Sequence, residues 1–386
     1  MENLLFHRVF LFSLSGLGAG AMPDAKLYHC SNANTLRSLF QTGKLRIAQL
    51  QRLGIGQIQG LSFLGGNNYS SSIIAKIAQR SENKDRITGL NELLGIISAK
   101  SKPVYTDGLP SELIGKIENA VQYKTIGNVQ CSKLDALTEY GLQHCETKAL
   151  ILFTSSDGTL SIAGHMSVIS PEHLNETAEI IRDIMHVNHA VENIVSIPFA
   201  GKWPYYTIAP GGMTLSYDTY QPNLLDALSA QGFDVFSADA FASVNNRYVY
   251  QDSHCSLDDA MHFASDMSLK EFHGLCFVAF SSFEERYGLL HDADGFTQCL
   301  NRFDDWLATF IPNLQSNDLM IITSDGGCDP NNTFLNERTR EYVPVILYGK
   351  RTAPANLGVR IGTCDIAATV ASCLGAKYDL SGTSML

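Results

Sequence analysis

Short apolar runs alternate along the chain with segments in which apolar residues recur three and four positions apart. The runs are typical of buried strands and lie at 9–14, 149–153, 194–197, 275–280 and 319–322. The spaced segments predict helices that include 180–184, 224–228 and 303–310. Strands that alternate with helices favour an α/β fold with a mainly parallel sheet, in which ligands bind at the carboxyl ends of the strands.

The apolar run near the N-terminus allows two interpretations. Residues 9–21 are either the apolar core of a short signal peptide or a first buried strand at 9–14 that enters a glycine-rich turn. The positive charge that begins a signal peptide is weak here, because Glu2 offsets Arg8, and this favours the strand. No apolar run reaches the ~20 residues that a membrane-spanning helix needs.

Segment 101–216 differs from its flanks, because it holds several short strands and an aromatic, proline-containing loop at 198–206. We therefore predict a smaller α+β cap domain at 101–216, inserted into a core domain that is made of 1–100 and 217–386.

Composition and charge narrow the possible partners. Hydrophobic residues make up 45% of the chain and the formal net charge is −11, which is the balance of an acidic globular protein with a large core. No basic stripe is present, so neither nucleic acid nor a membrane is expected as a partner. The nine cysteines include no C-x-x-C pair, which fits unpaired thiols in a reducing compartment and a cytoplasmic location.

The loop after the run at 319–322 carries the most informative pattern. The stretch T-S-D-G-G-C-D-P-N-N (323–332) is acidic and glycine-rich, as metal-binding loops often are, yet it contains no histidine. It leads to T-R-E-Y-V-P-V-I-L-Y-G-K (339–350), which resembles the signature of the phosphopentomutase family, part of the alkaline phosphatase superfamily. Further stretches resemble the family in the same order, at 22–25, 84–89, 154–157, 365–369 and 382–386.

This resemblance covers nearly the full chain and implies a fold and a chemistry. The implied fold is an alkaline-phosphatase-like α/β core with an inserted cap. The implied site holds two manganese ions and a phosphorylated threonine, and it moves phosphate between C1 and C5 of ribose or deoxyribose. Two metals about 4 Å apart clamp the phosphate oxygens in such chemistry.

At most positions that hold metal ligands in the family, the matching residue of this chain cannot serve as one. Two carboxylates remain, Asp325 and Glu284. The other matching positions are Ser15, Gly326, Leu289 and Arg338. Glycine has no ligand atom, and arginine does not give up its proton to bind a metal.

The nucleophile and the phosphate anchors of the cap are altered as well. Arg86 stands at the position of the family's phosphorylated threonine, and Thr88 lies two residues further on. Asp157, a sugar-contacting position in the family, is retained. The positions of the basic anchors are occupied by Ile197, by Leu215 and Ser216, and by Phe236.

Three hypotheses about function follow from these replacements. The first is a phosphopentomutase-like pseudoenzyme that needs no cofactor and binds a small molecule or a protein partner. The second is an active mutase or phosphatase on pentose phosphates with a relocated manganese ion, held by Asp325, Glu284, His291 and Asp329. The third is a scaffold subunit with an empty cleft.

The two arginines suggest what takes the place of the metals. Carboxylates that lose their cations repel one another, and an arginine fork suits paired carboxylate oxygens. We therefore predict that Arg338, and also Arg86, lies against Asp325 or Glu284. The alternative is that both side chains extend into solvent, where a fixed pairing contributes little.

Overall fold

The computed structural model describes residues 6–66, 72–98, 105, 107–155, 159–188, 191, 193–216, 221–239, 241–244, 247–250, 256–333 and 337–386. The chain divides into two compact units. The first combines Met1–Ala99 with Pro222–Leu386, and the second is Lys100–Gln221. The sequence analysis had placed the borders of the inserted segment at 101 and 216.

The strands are, in chain order, β1 (Arg8–Leu14), β2 (Ser72–Ala78), β3 (Thr125–Gln130), β4 (Leu150–Thr154), β5 (Leu160–His165), β6 (Asn193–Lys202), β7 (Tyr205–Ile208), β8 (Thr214–Ser216), β9 (Asp234–Ala238), β10 (Phe241–Val244), β11 (Arg247–Tyr250), β12 (Gly274–Phe280), β13 (Asp318–Thr323), β14 (Val343–Tyr348) and β15 (Ala355–Ile361). The α-helices are α1 (Thr35–Gln41), α2 (Ala48–Arg52), α3 (Arg86–Leu93), α4 (Ser111–Val121), α5 (Lys133–Thr147), α6 (Pro171–Asn188), α7 (Leu224–Ala230), α8 (Leu257–Leu269), α9 (Ala293–Phe310) and α10 (Asp365–Leu374).

The first unit is built on a seven-stranded sheet in the order β15-β2-β14-β13-β1-β12-β9. All neighbours are parallel except that β14 runs antiparallel to both β13 and β2. A mainly parallel sheet was predicted, and the structure confirms it. The reversed strand β14 was not foreseen, because its apolar run reads the same in either direction.

Strand β1 explains why the central strands are largely apolar. Phe10 and Phe12 point into the hydrophobic core on one face of the sheet, and Val9 and Leu11 into the core on the other face. A strand that is buried on both faces is typically a near-continuous apolar run. The structure confirms the interpretation of 9–14 as a first strand, since β1 pairs with β12 and β13 in the middle of the sheet.

The second unit has its own sheet in the order β3-β4-β5-β6-β7, with β8 pairing to β6. Parallel and antiparallel neighbours are mixed in it, and α6 packs against β5 and β6.

The three predicted helices are confirmed in α6, α7 and α9. Across the described part of the chain, no helix is both long and apolar enough to cross a membrane.

Candidate functional site: a cluster of ion pairs at the carboxyl edge of the sheet

Loops that follow three adjacent parallel strands bring the predicted site residues together. Asp325 lies in the loop after β13, Ser15 follows β1, and Glu284 opens a π-helical turn (Glu284–Gly288) after β12. The Cys328 amide donates a hydrogen bond to the Gly16 carbonyl at 2.7 Å, which ties two of these loops together. The site lies where α/β sheets bind their ligands.

Arg338 occupies the centre of this cluster. Its Nη2 atom donates a hydrogen bond to Asp325 Oδ1 at 2.6 Å and lies 2.8 Å from Glu284 Oε2. The contact with Glu284 is an ion pair without hydrogen-bond geometry. The Nη1 atom donates to the backbone carbonyl of Asp325 at 3.3 Å, and only 5% of the Arg338 side chain is exposed. The prediction that Arg338 lies against these carboxylates is confirmed.

The charges in the cluster depend on one another. Burial raises the pKa of Glu284, and the nearby Asp325 charge raises it further, whereas Arg338 opposes both effects. Burial acts to lower the pKa of Arg338, but the Asp325 and Glu284 carboxylates outweigh it and hold that pKa above its ordinary value. The guanidinium is therefore the cation that lets two buried carboxylates share this space.

Gly326 provides the room for this arrangement. A Cβ atom at residue 326 would lie 3.3 Å from Arg338 Nη1 and 3.5 Å from its Cζ. The backbone φ of Gly326 is 145°, which L residues rarely adopt. A larger side chain at residue 326 would press against the guanidinium, so the glycine and the arginine fit each other.

The residues present do not fit a two-metal centre. A metal held jointly by Asp325 and Glu284 would need the space that Arg338 Nη2 fills. The Ser15 hydroxyl is committed as a donor to Asp325 Oδ2 at 3.1 Å. Leu289 ends the π-helical turn and, like Gly326, brings no ligand atom.

Arg86 lies beside the cluster, but its main partner is a residue that the sequence analysis did not single out. Its Nη1 atom donates to Glu285 Oε1 at 2.6 Å, and its Nη2 atom donates to the Asp239 carbonyl at 2.8 Å. The Nε atom is 3.9 Å from Asp325 Oδ2, at the outer limit of an ion pair. The prediction for Arg86 is therefore corrected: it joins Glu285 and the loop after β9, and it contacts Asp325 only marginally.

Thr88 is part of the cap of helix α3. Asp85 precedes the helix and accepts hydrogen bonds from the Thr88 amide at 3.0 Å and from the Thr88 hydroxyl at 2.5 Å. An aspartate at the N-cap position is a common N-terminal helix signal, and it is visible in the sequence. These hydrogen bonds with Asp85 give Thr88 a structural role at the start of α3.

Asp329 and His291, which were considered as ligands of a relocated metal, contact backbone groups. Asp329 accepts hydrogen bonds from the Asn34 amide at 2.7 Å and from the Asn331 amide at 2.9 Å. His291 places Nδ1 3.2 Å from the Pro330 carbonyl. Within the described ranges, no three histidine, cysteine, aspartate or glutamate side chains gather in a geometry that could hold a metal. Asp157 lies outside the described residues.

Glu341 is a buried carboxylate whose hydrogen-bond donors come from three segments of the chain. It accepts hydrogen bonds from the Gly20 and Thr35 amides, each at 3.0 Å, from the Thr35 hydroxyl at 2.8 Å and from the Thr339 hydroxyl at 2.6 Å. It joins the loop after β1, the start of α1 and the T-R-E-Y-V-P stretch. Glu341 therefore gives this stretch a structural role.

Asp239 is the most unusual ionisable residue that the sequence analysis missed. It is 5% exposed, its φ is 60°, and its Oδ2 accepts the Ser281 amide at 2.8 Å. Its Oδ1 atom has no hydrogen-bond partner among the described residues. Burial raises the pKa of Asp239 to about 6, although the nearby Arg86 charge acts to lower it. No local sequence pattern marks this strained position.

The chain is similar to a family of metalloenzymes and to phosphopentomutases. Residues 223–378 match the model of the Metalloenzyme superfamily. The chain is 32% identical to the phosphopentomutase of Lachnoclostridium phytofermentans, over 98% of each chain. It is 33% identical to the phosphopentomutase of Carboxydothermus hydrogenoformans, over 96% of each chain.

A solved structure shows the same fold at low sequence identity. The phosphoglycerate mutase of Leishmania mexicana, crystallised at low cobalt concentration, superposes with a TM-score of 0.52 at 10% identity. The match covers 99% of this chain and 98% of that one. The chain therefore shares the fold of that enzyme, and its first unit is a mainly parallel sheet flanked by helices.

Proposed function

The chain belongs to the phosphopentomutase family, and we propose that it is a member that has lost two-metal phosphoryl transfer and acts by binding. One observation carries this proposal: the Arg338 guanidinium lies between Asp325 and Glu284 at 2.6 and 2.8 Å. Phosphoryl transfer depends on cations that neutralise the transferred group. Here the positive charge belongs to a side chain whose Nη1 and Nη2 atoms already contact oxygens of Asp325 and Glu284.

The position of the nucleophile supports the same proposal. Arg86 stands where the family resemblance expects the phosphorylated threonine, and a guanidinium that is always protonated cannot accept a phosphoryl group in such a reaction. Thr88, the nearest hydroxyl in the chain, is held by Asp85. A family member of this kind would keep its fold and act on a small-molecule or protein partner by recognition alone.

A direct assay tests the proposal. The purified protein, supplied with manganese and a pentose bisphosphate activator, is expected not to interconvert ribose 1-phosphate and ribose 5-phosphate. The phosphopentomutase of Carboxydothermus hydrogenoformans, assayed in parallel, serves as the positive control. Enzymes commonly turn over about 1–10³ times per second, and an active enzyme would be expected to show turnover in this range.

The opposite outcome would identify the alternative function. Manganese-dependent turnover in this range, or a phosphate found on Thr88 by mass spectrometry, would contradict the proposal. Either result would make the chain an active mutase or phosphatase on pentose phosphates with a rearranged site.

A further inference from the structure

Strand β7 lies at one end of the sheet of the second unit. A two-residue turn, Trp203-Pro204, joins it to β6, and the two strands pair antiparallel from Tyr205 to Ile208. Within the described part of the chain, β6 is the only strand that pairs with β7. The other edge of β7 therefore presents backbone donors and acceptors to any strand that can reach it.

The backbone groups of Tyr206 and Ile208 point away from β6. The Ala209 amide donates a hydrogen bond to the Pro198 carbonyl at 2.8 Å, which makes these two residues a hydrogen-bonded pair. Hydrogen-bonded and non-hydrogen-bonded pairs alternate along an antiparallel ladder. Tyr206 and Ile208 are therefore the residues of β7 whose N–H and C=O groups face outward.

The edge of β7 is exposed and apolar. The exposed fraction is 57% for Trp203, 83% for Tyr205 and 45% for Ile208. Residues 203–213 contain no charged side chain, and the nearest charge, Lys202, lies at the end of β6. Charged side chains along an edge strand are a common protection against pairing with another chain, so this edge lacks one of the usual protections.

The edge is also complementary to itself. When two copies of β7 pair antiparallel about a two-fold axis at Thr207, Tyr206 of each copy stands opposite Ile208 of the other copy. Each of these two pairs exchanges two N–H···O=C hydrogen bonds, because both residues present outward backbone groups. The resulting side-chain pairs are aromatic with β-branched and threonine with threonine, and such pairs stabilise antiparallel strands.

Charge does not oppose this pairing at the edge. Lys202 stands opposite Tyr205 in the hairpin. At about 3.4 Å per residue and about 4.8 Å per strand, the two Lys202 residues of the pair lie roughly 20 Å apart. This distance exceeds the screening length of about 8 Å at physiological ionic strength.

We propose that the edge of β7 is a docking surface for a second copy of this chain, which continues the sheet of the second unit across a two-fold axis. Trp203 and Tyr205 expose on the order of 200–350 Å² per copy, since an aromatic side chain has a surface of about 150–250 Å². Standard-size interfaces bury about 800 Å² per partner, so the dimer is weak and forms at high protein concentration. The surface uses none of the residues of the Arg338 cluster, so the proposal stands apart from the proposed loss of catalysis.

Sedimentation velocity of the full chain tests for the dimer, at concentrations from about 1 µM to about 1 mM. The sedimentation coefficient is expected to rise with concentration from the monomer value towards the dimer value. Thr207→Lys places two like charges opposite each other on the axis at an exposed position, and it is expected to raise the dissociation constant by about fivefold or more. Thr309→Lys, the same change at an exposed threonine of α9, is the control and is expected to leave the dissociation constant unchanged.

Two cysteine variants test the register of the pairing. Thr207→Cys places two thiols opposite each other in a non-hydrogen-bonded pair, with Cα atoms about 4.5 Å apart, which a disulfide can bridge. Tyr205→Cys lies on the same face of β7, but its two copies stand about 14 Å apart, which is too far for a disulfide. After mild oxidation, non-reducing electrophoresis is expected to show a cross-linked dimer for Thr207→Cys and none for Tyr205→Cys or the natural protein.

Three results would overturn the proposal. A chain that stays monomeric over the whole range, with no cross-link in Thr207→Cys, would leave the edge to a strand of a different protein. A dimer that Thr207→Lys does not weaken would form through another surface. Equal cross-linking of Thr207→Cys and Tyr205→Cys would show that the two edges do not pair about Thr207.

Discussion

Replacing Arg338 with alanine is expected to lower the free energy of unfolding by about 3–5 kcal/mol at neutral pH. The substitution leaves Asp325 and Glu284 buried beside each other without a cation. Burial already raises the pKa of Glu284, so losing the opposing arginine makes its ionised form still more costly. Chemical denaturation followed by circular dichroism measures the change.

A surface arginine provides the matched control. Arg302 pairs with Asp258, and both side chains are more than half exposed. Arg302→Ala is expected to change stability by less than about 1 kcal/mol, because exposed ion pairs contribute little. Adding Glu284→Gln to Arg338→Ala should recover part of the loss, since it removes one of the two uncompensated charges. Equal effects of Arg338→Ala and Arg302→Ala would show that the cluster is not held by its central cation.

Asp239 is expected to make the protein less stable as the pH rises from about 4 to about 6. Its folded-state pKa is raised from 3.8 to about 6, so the folded state holds a proton that the unfolded state has already released. The favourable contribution is complete below the unfolded pKa and is lost as the pH passes through the folded pKa. Asp239→Asn removes this term, and asparagine tolerates the left-handed backbone at this position.

The variant should therefore gain stability over the natural protein as the pH rises. The difference is expected to be near zero at pH 4 and roughly 3 kcal/mol above pH 6, measured by denaturation at each pH. Asp294→Asn, at an exposed carboxylate paired with Lys44, is the matched control and should show a difference below about 1 kcal/mol. A difference between Asp239→Asn and the natural protein that does not vary with pH would contradict the assignment.

The sequence was sufficient to predict the core strands and the ion pairs at the centre of the site. The runs that became β1, β12 and β13 are almost continuously apolar, as is typical of a strand that is buried on both faces. Arg338 could be placed because the family resemblance puts it at a ligand position, with Asp325 and Glu284 as the two carboxylates expected beside it. Charge complementarity alone then predicts its partners.

The rest depended on contacts between distant parts of the chain. Glu285 is 199 residues from Arg86, and nothing in either neighbourhood indicates that they pair. Asp239 is unusual because of its backbone angle and burial, neither of which a local pattern records. The direction of β14 was missed because alternation and apolarity describe burial and not strand polarity.

Metal content tests the central claim most directly, since that claim is that the Arg338 guanidinium occupies the place of a metal between Asp325 and Glu284. The purified protein is equilibrated with excess manganese, dialysed, and analysed for bound metal, with the Carboxydothermus hydrogenoformans phosphopentomutase treated in the same way. We predict that this protein retains manganese far below one equivalent. Retention near stoichiometry that falls when Asp325 is changed to asparagine would contradict the account, because a metal would then share the carboxylate assigned to Arg338.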